Sequence, residues 1–155
     1  EKQVEKSIKE MLEPLEGKSG ENPGIIYDEL RDMMQLKVGI IRNEEQLIEA
    51  LEDLDKFKKR SLDANPGISK TYNAGWHQAL DLENMIDISR ACTMAALSRT
   101  ESRGGHTRED HPVPDKGKWS HTTNVIWMEN NEIKIKQEDL KQPPEEFEKL
   151  LDRSK

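Results

Sequence analysis

The chain has 155 residues, with 24 basic and 31 acidic side chains for a net charge of -7, and it is 35% charged and only 33% hydrophobic. That length fits one domain with a tail, and the Leu, Ile, Val and Phe total of 32 lies near the fraction of about 20% below which disorder becomes the default. The single Cys excludes an internal disulfide framework and a multi-cysteine zinc site. The acidic balance argues against generic nucleic-acid binding, and no run of about 18 uncharged apolar residues exists to enter a membrane.

Periodicity places the few apolar residues. The chain opens on Glu1 in mid-helix character, with no secretory signal, which suggests a piece of a longer polypeptide. From Glu1 to Glu16, Val4, Ile8, Met11, Leu12 and Leu15 recur at steps of three and four, one narrow stripe on a charged helix. Residues 1–21 thus read as a helical lead-in from a preceding domain, ended by Pro14 and the Gly17–Gly20 stretch. Asn22-Pro23 starts a helix, because an Asn cap accepts from free N–H groups and Pro at the first position loses nothing. Ile26, Leu30, Met33, Met34 and Lys37 share its face, and Gly39 can stop it in a left-handed conformation. The link Val38-Gly39-Ile40-Ile41-Arg42 is too apolar for a free loop. Asn43 and Gln46 form a capping box, after which Leu47, Ile48, Leu51 and Leu54 carry a second helix toward Arg60.

Asn65-Pro66-Gly67 breaks the chain again. A third helix runs from about Asn73 to Arg99, with Leu82, Met85, Ile86, Ser89, Thr93, Ala96 and Leu97 on one stripe. Its small residues, Ala91, Cys92 and Ala95 among them, allow close neighbours. Three long helices joined by short breaks predict an all-α fold, a three-helix antiparallel bundle over residues 22–121 that includes an extended basic Arg/His loop. Residues 122–155 read as a small β-ribbon and a tail. Thr122–Met128 and Glu132–Gln137 alternate as strands around an Asn130-Asn131 turn, and Glu145–Asp152 forms helical turns around Phe147, Leu150 and Leu151.

The segment from Arg99 to Pro112 carries the chemistry. In an acidic chain it gathers Arg99, Arg103, His106, Arg108 and His111, with Lys116, Lys118 and His121 close behind. A long loop without structure of its own is more often functional than idle, and Gly104-Gly105 allows a tight reversal. Metal binding by His106, His111 and His121 is disfavoured by their irregular spacing and by the neighbouring guanidinium groups. A carboxylate or phosphate suits Arg forks, though no phosphate-cradling Gly motif accompanies them. Alternating signs at Glu101, Arg103, Arg108 and Asp110 suit ion pairs across an interface with another domain. A solvated loop of no consequence is what composition alone prefers. Elsewhere packing readings dominate: Cys92 as a small core residue, Met33 and Met34 as filling, Trp76 and His77 packed at a helix end, and Glu49, Glu52, Asp53 and Asp55 as a solvated face.

The run Arg99-Thr100-Glu101-Ser102-Arg103-Gly104-Gly105-His106-Thr107-Arg108-Glu109-Asp110-His111-Pro112, followed by Asp115, Trp119, His121 and Thr122, closely resembles a signature of one family. That family is the flavoprotein subunit of succinate dehydrogenase and fumarate reductase, whose C-terminal domain carries a similar Arg-x-Glu-Ser-Arg-Gly-x-His-x-Arg-x-Asp-x-Pro run. The match extends to Met33-Met34 through Val38–Arg42 and Leu47, and to Ala79–Met85, so that it covers roughly residues 23 to 127. Gly105 stands where Ala is common, and the tail after Trp127 has little in common with succinate dehydrogenases.

The resemblance implies a spectrin-repeat-like bundle within a parent enzyme that interconverts succinate and fumarate using FAD and passes electrons to an iron-sulfur subunit. No catalytic, cofactor-binding or metal residue carries over to this chain, and the isolated piece is expected to be inactive. The implied role of Arg42, Arg99, Glu101, Ser102, Arg103, Gly104, His106, Arg108 and Asp110 is docking against the flavin-binding and capping domains. The expected partners are those domains and the iron-sulfur subunit, without nucleic acid or direct membrane insertion. The expected location is cytoplasmic, with the parent peripheral on the inner face of the cytoplasmic membrane. L-aspartate oxidase and adenylylsulfate reductase have related architectures, and the first is the rival parent. The fuller Arg-Thr-Glu-Ser-Arg-Gly run favours the succinate/fumarate branch. The alternative from another class is a freestanding helical interaction module with an anion-binding loop.

Overall fold

A computed structural model describes residues 1–141 together with Pro144 and Phe147. The expected helical turns over Glu145–Asp152 lie, apart from Phe147, outside the described residues. The chain is mainly helical, with two small sheets: α1 (Lys2–Leu12), a 3-10 turn (Glu13–Leu15), α2 (Pro23–Lys37), β1 (Ile41–Arg42), α3 (Glu44–Leu62), α4 (Ala74–Ser98), β2 (Thr107–Arg108), a second 3-10 turn (Lys118–Ser120), β3 (Thr122–Glu129) and β4 (Glu132–Asp139).

The helices begin where cap chemistry puts them. The Asn22 side chain accepts from the Gly24 N–H at 2.8 Å, and Pro23 takes the first helical position. The Asn43–Gln46 box closes in both directions, at 3.0 and 3.1 Å, with Glu44 and Glu45 at the positive end of the α3 dipole. Asn73 caps α4 by accepting from the Trp76 N–H.

Ion pairs fix the helix directions. Lys37 bridges Glu49 and Asp53, while Arg60 reaches back to Glu29, so α2 and α3 run oppositely. Arg90 pairs with Asp55 and Lys58 with Glu83 and Asp87, so α3 and α4 run oppositely too. The acidic face of α3 is therefore not simply solvated. Glu49, Asp53 and Asp55 each hold a cation of a neighbouring helix, because Lys37 and Arg90 come within reach across the grooves.

Between the three helices Ile26 and Leu30 of α2, Leu54 and Phe57 of α3, and Leu82 and Ile86 of α4 form one core cluster. A second cluster of Val38, Leu47, Ala50 and Ala96 sits toward the loop end, with Met33, Met34 and Leu97 packed on it. Fully burying a Leu or Ile stabilises by about 1.5–3 kcal/mol, so a short list of well-placed residues holds the bundle. Ile48, expected on the core stripe, is largely exposed, and Ala50 and Phe57 take up the buried face instead.

Several further expectations change. Gly39 does not adopt a left-handed conformation. A Cβ there would lie 2.6 Å from the Gln35 carbonyl, so the glycine serves close approach to the last turn of α2 rather than a positive φ. Cys92 is exposed, not a core residue, because it falls on the side of α4 away from the Leu82–Ile86 stripe. The α1 stripe is largely exposed: Val4, Ile8 and Met11 stay accessible and only Leu15, in the turn beyond, is buried. Trp76 ties this lead-in to the bundle by donating Nε1–H to the Met11 carbonyl at 2.7 Å, while His77 lies exposed beside it.

The β3–β4 hairpin is antiparallel, with Glu129 opposite Glu132 and both Asn130 (φ 51°) and Asn131 (φ 62°) left-handed. Positive φ at both central residues is the geometry that matches the natural twist of a two-residue hairpin, and Asn tolerates it. Asn124 of β3 donates to the Ala95 carbonyl and Gln137 of β4 to Ser98, seating the ribbon on the end of α4.

Candidate functional site: the Arg–Glu–His loop after α4

The chain between Arg99 and Trp119 folds back over the end of the bundle where α4 stops and α3 begins. Gly104, at φ +59°, makes the reversal, and the flanking Arg103 and His106 exchange two backbone hydrogen bonds of 2.8 and 3.1 Å. The returning strand β2 pairs in parallel with β1, Ile41 beside Thr107 and Arg42 beside Arg108. The apolar link after α2 is thus half of a sheet, which accounts for its composition.

Glu101 is fully buried and accepts five hydrogen bonds. Arg99 donates Nε–H and Nη2–H to Oε1 at 2.9 and 2.5 Å, Arg103 forks onto both oxygens at 3.0 Å each, and the Asp115 N–H adds a contact of 2.7 Å. The Arg103 fork first, then Arg99, outweigh burial and hold the carboxyl at about 2, down from 4.5. Trp119, buried behind Arg99, receives that guanidinium at 5.3 Å and the Lys118 ammonium at 4.9 Å over its ring, and gives its Nε1–H to Thr100.

Arg108 is 1% exposed and joins two helix ends. Its Nη1 donates to the Ala96 and Leu97 carbonyls at 3.0 and 3.1 Å, oxygens left without an intrahelical partner where α4 stops, and to the Arg99 carbonyl at 3.4 Å. Nε and Nη2 fork onto Asp110 at 2.8 and 2.6 Å, and Asp110 in turn accepts from the Glu44 N–H in the first turn of α3. Cation at a C-terminus and anion at an N-terminus both suit the helix dipoles. The Arg108 fork holds the Asp110 carboxyl well below the usual carboxylate range. Ser102 Oγ accepts from the Arg108 N–H and donates to the His111 carbonyl, both at 2.8 Å.

His106 bridges the loop to the α2–α3 link. Its Nδ1 lies 2.7 Å from Arg42 Nη2 and its Nε2 lies 3.0 Å from the Arg99 carbonyl. A guanidinium can only donate, so the ring proton is assigned to Nε2, which donates to Arg99. Burial, with the charges of Arg42, Arg99 and Arg108 adding to it and the Arg99 carbonyl opposing, pushes the imidazole below its ordinary 6.5 and keeps it neutral. Arg42 also donates to the Val38 carbonyl at 2.9 Å.

All nine residues singled out in the sequence meet at this one end of the bundle, but their pairing is with each other. The loop is not a solvated excursion, since Glu101 and Arg108 are among the most buried side chains of the molecule. The three histidines do not converge, and among the described residues no group of three or more His, Cys, Asp or Glu gathers to hold a metal. Trp119 and Asp115 belong to the network as much as the arginines do. A lone Trp in a stretch of Asp, Lys and Gly was the available signal for that. Among the described residues no strand turns through a glycine-rich segment into a helix N-terminus; β1 leads directly into α3 through Asn43.

Chemically the site clamps helix ends and a hairpin together, with both ring nitrogens of His106 already engaged. Residues 27–150 match the family described as fumarate reductase flavoprotein C-term, and the chain belongs to that family. It is 36% identical over 104 residues to the succinate dehydrogenase flavoprotein subunit of Coxiella burnetii, covering 66% of this chain and 18% of that protein. To the fumarate reductase flavoprotein subunit of Helicobacter pylori it is 33% identical over 111 residues, covering 66% and 14%. The solved Mycobacterium smegmatis Sdh1 complex in the apo form contains a chain that superposes with a TM-score of 0.81 at 37% identity, over 90% of this chain and 24% of that one. The chain therefore spans less than a quarter of the length of these relatives.

Proposed function

We propose that this chain is the non-catalytic, spectrin-repeat-like C-terminal domain of a longer flavoprotein that interconverts succinate and fumarate. The division is a lead-in over residues 1–21, the bundle and loop over 22–121, and a ribbon and tail over 122–155. FAD and the groups that act on the dicarboxylate belong to the rest of the parent, which passes electrons to an iron-sulfur subunit. The bundle docks on the flavin-binding and capping domains through the loop that carries Arg42, Arg99, Glu101, Ser102, Arg103, Gly104, His106, Arg108 and Asp110. The parent is cytoplasmic and peripheral on the inner face of the membrane. Among the described residues no helix is long and apolar enough to cross a membrane.

The observation that carries this reading is the match to the family over residues 27–150, joined to a loop whose Glu101 and Asp110 carboxylates are both engaged by guanidinium and N–H groups. Such a loop is a rigid surface rather than a reaction centre. Inside it Glu101 and Arg108 serve the surface by holding it rigid, and the exposed Arg103–Gly105 tip presents it. Two measurements test the proposal. Hydrogen exchange across residues 99–121 should be slower in the full-length flavoprotein than in this chain alone, and succinate-dependent dye reduction should require the full-length protein. Stoichiometric FAD binding or succinate oxidation by the 155-residue chain would overturn it. Oxidation of L-aspartate in preference to succinate would move the parent to the rival branch.

A further inference from the structure

One cavity, of about 480 Å³, opens beside the loop between the end of α4 and the start of β3. Arg42, Cys92, Arg99, Arg103, His106 and Thr123 are among its lining residues. Three guanidinium groups stand around it, and among the described residues Glu101 is the one carboxylate that pairs with any of them. Two positive charges remain unbalanced in a chain whose net charge is -7.

Arg42 is the sharpest case. Among the described residues it has no carboxylate partner, and its Nε is the one buried side-chain nitrogen or oxygen without a hydrogen bond. A buried donor of a charged group left unpaired is costly, and native proteins rarely keep one without a use. Arg99 and Arg103 both reach Glu101 through Nε and Nη2, which leaves each Nη1 without a partner among the described residues. The remaining lining includes a thiol, a threonine and the methyl groups of Ala95 and Ala96, a wall suited to a methylene stem.

We propose that this cavity seats the carboxylate of an Asp or Glu side chain presented by the part of the parent flavoprotein outside this chain. The assignment rests on the docking reading above and supplies its chemistry. A monoanion with two oxygens matches the unused Nη1–H groups of Arg99 and Arg103 in the manner of Arg forks, with the charge of Arg42 beside them. A phosphate dianion fits less well. No helix N-terminus with free N–H groups, the usual cradle of a phosphate, borders the cavity. The source is the parent because its relatives carry more than three quarters of their length beyond the region this chain matches. Neutral His106 holds Arg42 in place from Nδ1 without competing for the anion, which makes it a positioning residue.

Cys92, exposed in this chain and in the cavity wall, reports occupancy. The experiment is iodoacetamide labelling of Cys92 in the full-length flavoprotein, read by peptide mass spectrometry, with hydrogen exchange of residues 99–121 measured in parallel. A seated carboxylate slows labelling. Arg42→Gln should speed it by about tenfold, with Arg42→Lys intermediate. Raising NaCl to about 1 M should speed labelling of the unmodified protein, an arm that does not depend on any variant folding.

Fast labelling of unmodified Cys92 while residues 99–121 stay protected would overturn the seat and leave docking standing. Slow labelling indifferent both to Arg42→Gln and to salt would overturn it as well. Exchange of residues 99–121 as fast as in the 155-residue chain would instead sink the docking reading itself. Protection of Cys92 that appears only on adding acetate or inorganic phosphate would make this a free-anion site, against the proposal.

Discussion

Glu101→Gln isolates the charge at the centre of the loop. The amide keeps the shape of the side chain but cannot accept at both ends of two guanidinium forks, and its NH₂ faces donors. The carboxyl is drawn from 4.5 to about 2, which at about 1.4 kcal/mol per pH unit corresponds to roughly 3 kcal/mol. Because the Arg103 side chain is 43% exposed and solvent weakens its share, about 2 kcal/mol is the expected loss at neutral pH. A carboxyl held low in the folded state contributes fully above its unfolded value of 4.5, and the contribution fades as pH falls toward 2. Urea unfolding followed by circular dichroism at pH 7, about 4 and about 2.5 should therefore show a gap between the two proteins that shrinks with acid. A gap of the same size at every pH, or none at pH 7, would refute the reasoning, since either result means the ionised carboxylate is not what the arginines hold.

Arg108→Gln leaves Asp110 and the final α4 carbonyls without their buried donor. A loss of about 3–5 kcal/mol by urea unfolding is expected, and one below about 1 kcal/mol would contradict the clamp. His106 should titrate below 6.5 by ring-proton NMR, and because the unfolded ring takes up its proton first, the stability this ring contributes should decline as pH drops below 6.5. Titration of the ring at or above 6.5 would contradict the buried neutral form.

Much of the helical frame was legible because its signals are local. Asn22-Pro23, the Asn43–Gln46 box and the Asn130-Asn131 turn act within four residues, and each has the predicted geometry. What escaped local reading has distant partners. The link Val38–Arg42 looked only too apolar for a loop. Its role as a strand depends on Thr107 and Arg108, more than sixty residues away in sequence. Likewise Asp53 and Asp55 looked solvated until Lys37 and Arg90 were placed opposite them. The exposure of Cys92 has no signal in the sequence, because a small residue on a long helix gives no phase of its own. In the loop, the residue types were legible as a set, but the division into an Arg99–Glu101–Arg103 cluster and an Arg108–Asp110 pair was not. Alternating signs permit several pairings, and burial selects one.

The Arg108–Asp110 pair also sets where this unit can be cut. Its guanidinium covers the last carbonyls of α4 and its carboxylate covers the first turn of α3, so the two inner helices receive their terminal counter-charges from residues that follow both of them. A truncation after Ser98 would keep α1 to α4 and most of the apolar core, yet leave two helix ends bare. A piece that ends at Ser98 is thus expected to unfold at lower urea than one that runs on to Trp119 and keeps the clasp.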